Sequence, residues 1–334
     1  MKNNVSAKVI KKLKILVIQV NRQCNLRCTF CCNRDGDRST SIPLKKVKEL
    51  IKTFPNLEEL ILTGGETFLF IDYVFKIVEF TKKFNKRIKV QVNTTGIILT
   101  DKILKRLRKS VDVIHTSINT LTPEVFWKVK GGNPISIEVI NNNIKKYVEA
   151  GFYVIVDNAV AKYDIDEVLD IYKKCEELGV QEYAVSQMII NGRATKEMLP
   201  SYPAFRKMIV ELIEYHKERV KAGSKMKLEL WCLFSNKLKD YRDQIKNSKI
   251  PSTNTMDCCC GSSMLYFSAE GYIMPCSLAF DHNYFKDCDI NKKSIKDILN
   301  QKRIFRLINK DVLKCLNNGV CKLFNPKIKG TFYD

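Results

Sequence analysis

The residues in this chain best suited to chemistry are its cysteines. Thirteen occur among 334 residues, and they are unevenly spread. Cys24, Cys28, Cys31 and Cys32 crowd one short segment. Cys258, Cys259, Cys260, Cys276, Cys288, Cys315 and Cys321 fall in the last quarter, and only Cys175 and Cys232 stand alone. Within VNRQCNLRCTFCCN the first three are spaced C-x3-C-x2-C. Three thiolates on one short loop can ligate three corners of an iron-sulfur cubane, which leaves one iron without a protein ligand and open to chemistry. Structural zinc wants four closed ligands, typically two C-x2-C pairs, and fits this loop poorly. So many cysteines would mean disulfides in a small secreted domain, whereas in a cytoplasmic chain of this length they point to metal or redox work.

The elements that must position these cysteines show as periodicities. Apolar, β-branched runs at 14–20, 57–64, 88–94, 111–118, 153–160 and 182–190 read as strands, with amphipathic helical patterns between them. Examples are PLKKVKELIKTF with Pro43 in a first-turn position, TPEVFWKVK opening at Thr122, and DIDEVLDIYKKCEELG ending at Gly179. A longer helical pattern runs from Tyr202 to about Ala222, and KLELWCLF suggests one more strand. Six β/α units with near-continuous apolar strands imply an α/β fold, a partial (β/α)6 TIM-like barrel with residues 1–246 as its core. Function in such a barrel sits at the C-terminal ends of the strands. Residues 247–257, including NSKIPSTNTMD, are polar and turn-rich and read as a linker. Residues 258–334 read as a small cysteine-rich C-terminal module, with a hairpin in MLYFSAEGYIMPC turning at Glu270-Gly271 and a helix around Ser294 to Ile308.

With Cys24, Cys28 and Cys31 directly after the first strand and an aromatic before the last of them, CNLRCTFC resembles the signature of the radical S-adenosylmethionine (SAM) superfamily. The resemblance implies that these three cysteines hold a [4Fe-4S] cluster whose unique iron chelates SAM, and that Phe30 lies near the adenine. Cys32 has no counterpart among the ligands. LTGGETF at the end of the second strand resembles the family's GGE motif. There Gly64 and Gly65 let the backbone approach SAM, and the carboxylate of Glu66 is expected to receive its ammonium group. Thr67 stands where the family usually has proline. Asn93, Ser117 and Asn119 match positions of polar contacts to SAM's ribose and carboxylate, and SQMIINGRA through Gly192 and Arg193 is similar to a motif bordering the SAM pocket. Each of these also reads as an ordinary polar residue ending a strand.

From Cys259 to Cys276 the chain resembles the start of the family's SPASM or shorter twitch extension. That resemblance implies an auxiliary [4Fe-4S] cluster held by Cys259, Cys276, Cys315 and Cys321. Cys258, Cys260 and Cys288 are then spare, and a four-thiolate zinc site is the alternative. Cys232 is a weak candidate hydrogen donor and otherwise a small core residue; Cys175 reads as structural. His115, His216 and His282 stand in no recognisable constellation.

The family implies an enzyme that cleaves SAM reductively, abstracts hydrogen from its substrate and takes electrons from a flavodoxin- or ferredoxin-type donor. A radical SAM oxidoreductase acting on a peptide or protein side chain, or on a sugar or nucleotide-linked anionic small molecule, is the expectation. Alternatives are a zinc-binding nucleic-acid module and a GTP-using radical enzyme of the molybdopterin pathway; the terminal GTFYD, with no glycine tail, counts against the latter. Little sequence precedes Cys24, so no peptide-recognition domain is expected ahead of it. The net charge of +21 comes from lysines scattered among acidic residues rather than an arginine stripe, which disfavours nucleic acid and mildly favours an anionic substrate. The N-terminal apolar run is too short for a signal peptide, and no stretch is long enough to span a membrane, so the expected location is cytoplasmic.

Overall fold

The β-branched runs form strands because branched side chains pack well on a pleated surface and lose little freedom there. In the computed structural model of the chain the described residues are 5–33, 40–131, 137–231, 243, 245, 247, 252–255, 263–277 and 285–301. Among them ten strands make one sheet: β1 (Ile15–Gln19), β2 (Glu59–Thr63), β3 (Lys89–Asn93), β4 (Val113–Ser117), β5 (Tyr153–Val160), β6 (Glu182–Gln187), β7 (Lys227–Trp231), β8 (Thr253–Thr255), β9 (Met264–Phe267) and β10 (Ile273–Met274). Their order is β10-β9-β1-β2-β3-β4-β5-β6-β7-β8, parallel throughout except for the β9–β10 hairpin. The α/β architecture is the expected partial (β/α)6 barrel, lengthened at both edges.

Helices cover the outer face by burying one stripe each. On α2 (Leu44–Thr53) the buried residues are Val47, Leu50 and Ile51, one helical turn apart. Pro43 stands just before the first turn, where its missing N–H costs nothing. Ser201 caps α8 (Tyr202–Lys221) by accepting from the Ala204 N–H. Helices α3 (Ile71–Phe84), α4 (Asp101–Leu107), α5 (Pro123–Lys130), α6 (Ile137–Glu149) and α7 (Val168–Glu177) complete the layer, and their buried residues share one core with the sheet. The basic N-terminus forms α1 (Val5–Lys12).

Two differences from the sequence reading lie at the sheet's edges. Thr253–Thr255, inside the stretch read as a linker, pairs with β7 as β8. At the other edge the hairpin of the cysteine-rich segment joins the barrel's sheet, because β9 pairs in parallel with β1 and satisfies backbone groups that a bare edge would leave open. The helix expected around Ser294 to Ile308 is described as Ile295–Leu299, capped by Ser294; the residues after Gln301 lie outside the described ones. Among the described residues no helix is long and apolar enough to cross a membrane.

The hairpin is also held by charge. Arg22, its side chain 5% exposed, donates from Nη1 to Glu270 Oε1 at 2.5 Å. Burial raises the Glu270 carboxyl, but the hydrogen bond and charge of Arg22 outweigh it and hold the group below the usual carboxylate value. The pair's contribution is therefore complete above the ordinary carboxylate pKa and is lost as pH falls through the depressed one. Denaturant unfolding should show Glu270→Gln less stable by about 2 kcal/mol near neutral pH, less than for a wholly buried pair because part of Glu270 is screened by water. The variant should also lose less stability than the wild type on acidification. Equal stability at neutral pH would refute the assignment.

Candidate active site

The loop leaving β1 is shaped by its own backbone before any side chain acts. The Cys31 N–H donates to the Cys28 carbonyl, and the Arg27 and Thr29 N–H groups donate to the carbonyls of Lys130 and Val129, so the end of α5 holds the loop's middle. Its two ends are tied to each other: Arg22 Nε donates to Asn33 Oδ1 and Asn33 Nδ2 returns a bond to the Arg22 carbonyl, both at 2.9 Å. Opposite, Gly192-Arg193 closes against it. The Arg193 N–H donates to the Cys31 carbonyl at 3.0 Å and Nη1 reaches the Cys28 carbonyl at 3.3 Å. Gly192 has φ +62°, and a side chain there would collide with Cys31 and Cys32 backbone.

This frame leaves Cys24, Cys28 and Cys31 partly accessible on one loop. Their electrostatics are not alike. Burial pushes the Cys24 thiol up to about 12, against the Leu26 N–H that donates to its Sγ at 3.4 Å. Burial also raises Cys28, opposed first by the charge of Lys130. Cys31 is brought down to about 6, chiefly by a hydrogen bond from the Cys32 thiol, with the Asn33 N–H, Arg193 and Lys130 adding to it. Cys32, raised by the same bond and by burial, thus serves Cys31 as a donor, and Cys276 lies near enough to raise it further.

Three thiols, two receiving backbone N–H bonds at sulfur, with two cations beside them, suit a cluster that binds thiolates. Among the described residues no three His, Cys, Asp or Glu side chains converge as a single metal ion would need. A cubane differs in taking one thiolate on each of three irons.

The Gly64-Gly65-Glu66 turn lies against this loop. The Gly65 N–H donates to the Asn21 carbonyl and the Glu66 N–H to the Gln23 carbonyl at 2.6 Å. Backbone approach is so close that a Cβ on Gly65 would stand 2.0 Å from Gln23 O, and one on Gly64 3.0 Å from Asn21 O. Glu66 is fully buried, and its carboxylate accepts from the Phe68 N–H, Thr94 Oγ1 and the Thr95 N–H at 2.8, 2.8 and 2.5 Å. It binds the loops after β2 and β3 together. Thr67, in place of the usual proline, donates from Oγ1 to the Asn93 carbonyl at 2.6 Å and makes a further tie between the same loops.

Lys130, at the end of α5, was not marked by the sequence: it reads there as a last-turn helix cation. It is 4% exposed, donates from Nζ to Ser117 Oγ at 3.0 Å, and lies 5.5 Å from the Phe30 ring centre. Ser117, Phe30 and the thiol loop therefore share one buried cation. Asn93 Oδ1 accepts from Gln91 Nε2, and Asn119 is buried with its Nδ2 3.5 Å from Asn158 Oδ1 and, among the described residues, its own Oδ1 unpartnered. Phe30 packs with Tyr163 on Ala161, Met188 and Ala194. Nearby Asp164 is buried and pushed up to about 8 by that burial. Cys175 is in the core on α7, and Cys276 and Cys288 are buried. Cys232, Cys258, Cys259, Cys260, Cys315 and Cys321 lie outside the described residues.

Residues 18–175 match the Radical SAM superfamily. A protein of Methanococcus aeolicus described as a probable GTP 3′,8-cyclase is 25% identical over 92% of this chain and 95% of its own length. Among solved structures the chain resembles Streptococcus suis SuiB, with TM-score 0.73 and 17% identity over 96% of this chain and 76% of that one. It also resembles anSMEcpe with bound AdoMet and a peptide, with TM-score 0.71 and 14% identity over 96% of this chain and 93% of that one. At these identities the two structures speak for the fold.

Because the obstacle at Gly65 is backbone, the Gly65→Ala variant cannot be relieved by moving a side chain. It should cost about 3 kcal/mol, the upper end for overpacking. Iron per chain after anaerobic reconstitution should fall well below that of Gly64→Ala, and equal iron in the two variants would refute the close-packing account.

Proposed function

We propose that this chain is a radical SAM enzyme that acts on GTP, joining its 3′ and 8 positions; the match of residues 18–175 to the Radical SAM superfamily supports that premise. The observation that carries the substrate class is the end-to-end similarity to a protein described as a probable GTP 3′,8-cyclase. The chain's cationic balance, the buried Lys130 and the half-buried Arg193 beside the thiol loop favour an anionic substrate in the same sense. This reading displaces the expectation of peptide or sugar oxidation, because the peptide-bound neighbour shares fold alone. It also makes the reaction a cyclisation rather than a simple substrate oxidation. The argument from the C-terminal tail yields to similarity along the whole chain.

When bound and reduced, the cluster supplies the electron that cleaves SAM to the 5′-deoxyadenosyl radical. The protein's part is placement. Cys24, Cys28 and Cys31 hold the cluster, and Gly64 and Gly65 keep the neighbouring backbone free of side chains so that SAM can approach it. Lys130, with Ser117, offers a fixed positive charge and a hydroxyl for SAM's carboxylate. Glu66 holds the walls of the pocket through its three donors. Phe30, Asn93 and Asn119 are the further SAM contacts this reading assigns. Cys259, Cys276, Cys315 and Cys321 are assigned to an auxiliary [4Fe-4S] cluster, with a flavodoxin- or ferredoxin-type reductant and a cytoplasmic setting.

The test is anaerobic iron and sulfide quantitation with reductive SAM cleavage, in the wild type and in a Cys24/Cys28/Cys31→Ala triple variant, with and without GTP. About eight irons falling to about four, deoxyadenosine formation lost in the variant, and GTP-dependent turnover in the wild type are expected. SAM cleavage that leaves GTP unconsumed would sink the cyclase reading and return peptide modification to first place. No iron would sink the radical SAM assignment of the loop.

A further inference from the structure

A helix on the outside of a barrel buries one stripe and gives the rest to water, and on α2 the sequence fills the outer part with lysine. Lys45, Lys48 and Lys52 follow one another at helical spacing, while Val47, Leu50 and Ile51 are buried. With Lys296 of α9 (Ile295–Leu299), these three lysines border a groove of about 960 Å³. Its apolar part comes from Ile10 on α1 and from Leu44 and Pro55 at the two ends of α2. The walls are tied together: α9 packs against α1, and Asn56, just past α2, donates from Nδ2 to the Lys11 carbonyl at 2.8 Å.

The positive charge of this groove is not answered within the chain. Its one acid, Glu49, is 3.5 Å from Lys46. Among the described residues Lys45, Lys48, Lys52 and Lys296 have no carboxylate within ion-pair distance. Lys48 and Lys52 set their ammonium groups 5.1 and 5.7 Å from the centre of the Phe80 ring, which holds both cations in place without neutralising them. Such a site asks for an anionic partner, and its shape selects among anions. Single-stranded nucleic acid needs open aromatic faces for its bases, but the groove is lined by aliphatic side chains and the Phe80 ring already carries two lysines. An anionic bilayer needs large apolar side chains standing out of a face, and the exposed ones, Leu69, Phe84, Trp127 and Val139, do not border the groove. A folded protein with an acidic surface fits both the charge and the concave form.

Both walls lead back to the thiol loop. α2 is the first described helix after Cys31, and α9 follows the hairpin turn whose Glu270 is bonded to Arg22 at the start of that loop. We infer that this groove docks the acidic protein that reduces the cluster. The inference rests on the radical SAM reading and its protein reductant. On that reading the barrel side of the loop faces SAM and substrate, so a second protein must approach from outside. One electron leaves the docked donor, which is oxidised by one, and the cluster is reduced by one; no group is transferred. Exposed lysines speed encounter more than they tighten a complex, which suits a donor that must leave after each electron.

Reconstituted full-length enzyme and an acidic bacterial flavodoxin test this, with binding read by titration calorimetry and cluster reduction by anaerobic stopped-flow absorbance and electron paramagnetic resonance. Wild-type binding should weaken as salt is raised. Lys45→Gln/Lys48→Gln/Lys52→Gln should be reduced by flavodoxin at least about tenfold more slowly than the wild type, with dithionite reducing both alike. Lys45→Gln/Lys296→Gln, which leaves the Phe80 contacts intact, should act in the same direction. Lys145→Gln/Lys173→Gln/Lys207→Gln removes equal charge from exposed lysines of other helices and should match the wild type. The docking inference is overturned by a wild type that does not bind flavodoxin, by groove variants reduced at the wild-type rate, or by equal slowing in the variant neutralised elsewhere. Groove variants that lose affinity for single-stranded RNA or anionic vesicles while keeping it for flavodoxin overturn it too. A wild type whose iron dithionite cannot reduce overturns the radical SAM reading itself.

Discussion

A guanidinium that is almost wholly out of water must have its donors answered by protein, and in this chain Arg22 sets that requirement. Two of its answers are Asn33, at the far end of the cysteine loop, and Glu270, in the turn of the C-terminal hairpin, and Asn33 also donates to the Arg22 carbonyl. Satisfying one buried cation thereby closes the loop that carries Cys24, Cys28 and Cys31 and attaches it to a segment far away in sequence. The hairpin turn is braced on its other side by Asn291, which donates to the Glu270 carbonyl. A short loop with many glycine and backbone contacts would otherwise have little to fix its shape.

Charge is sorted along the barrel axis. At the strand ends Lys130 and Arg193 flank the thiols and favour their ionised form. At the opposite end Glu59, Glu182 and Glu229 gather with Lys89 and Lys227 around Tyr153, whose hydroxyl donates to Glu182. Burial and mutual repulsion raise Glu59, and burial with the Glu182 neighbour pushes Glu229 up to about 8. The excess of lysine in the composition says little about this sorting. Some surface lysines are spent on helix-surface pairs such as Lys173–Asp170 and Lys207–Glu211, which contribute little each. Of the two cations beside the thiols, Lys130 is buried and Arg193 half-buried.

This explains which parts of the molecule were legible in sequence. β5 spans 153–160 as its apolar, β-branched run implies, and helices start just after Pro43 and Thr122, signals that need no tertiary context. The C-x3-C-x2-C loop and the Gly64-Gly65 turn were legible for the same reason: spacing and backbone freedom are local. Lys130 was not, since a last-turn lysine takes on a role only through neighbours from other elements. Thr253–Thr255 was hidden because an edge strand of three polar residues is recruited by β7 rather than by its own pattern.

The pairing of β9 with β1 carries a further consequence. One strand delivers the first cysteine group from its C-terminal end, and the strand beside it leads through the hairpin to Cys276. Their register, Ile18 opposite Phe267, is fixed by main-chain bonds and also by the Ala269 N–H donating to Gln19 Oε1 at 3.1 Å and by Arg22 to Glu270. A slip by one residue would turn the buried Tyr266 and Phe267 to opposite faces and draw both side-chain ties out of reach. Because such a slip fails on packing, hydrogen bonding and charge together, Cys276 and Cys32 are brought near each other by the sheet itself.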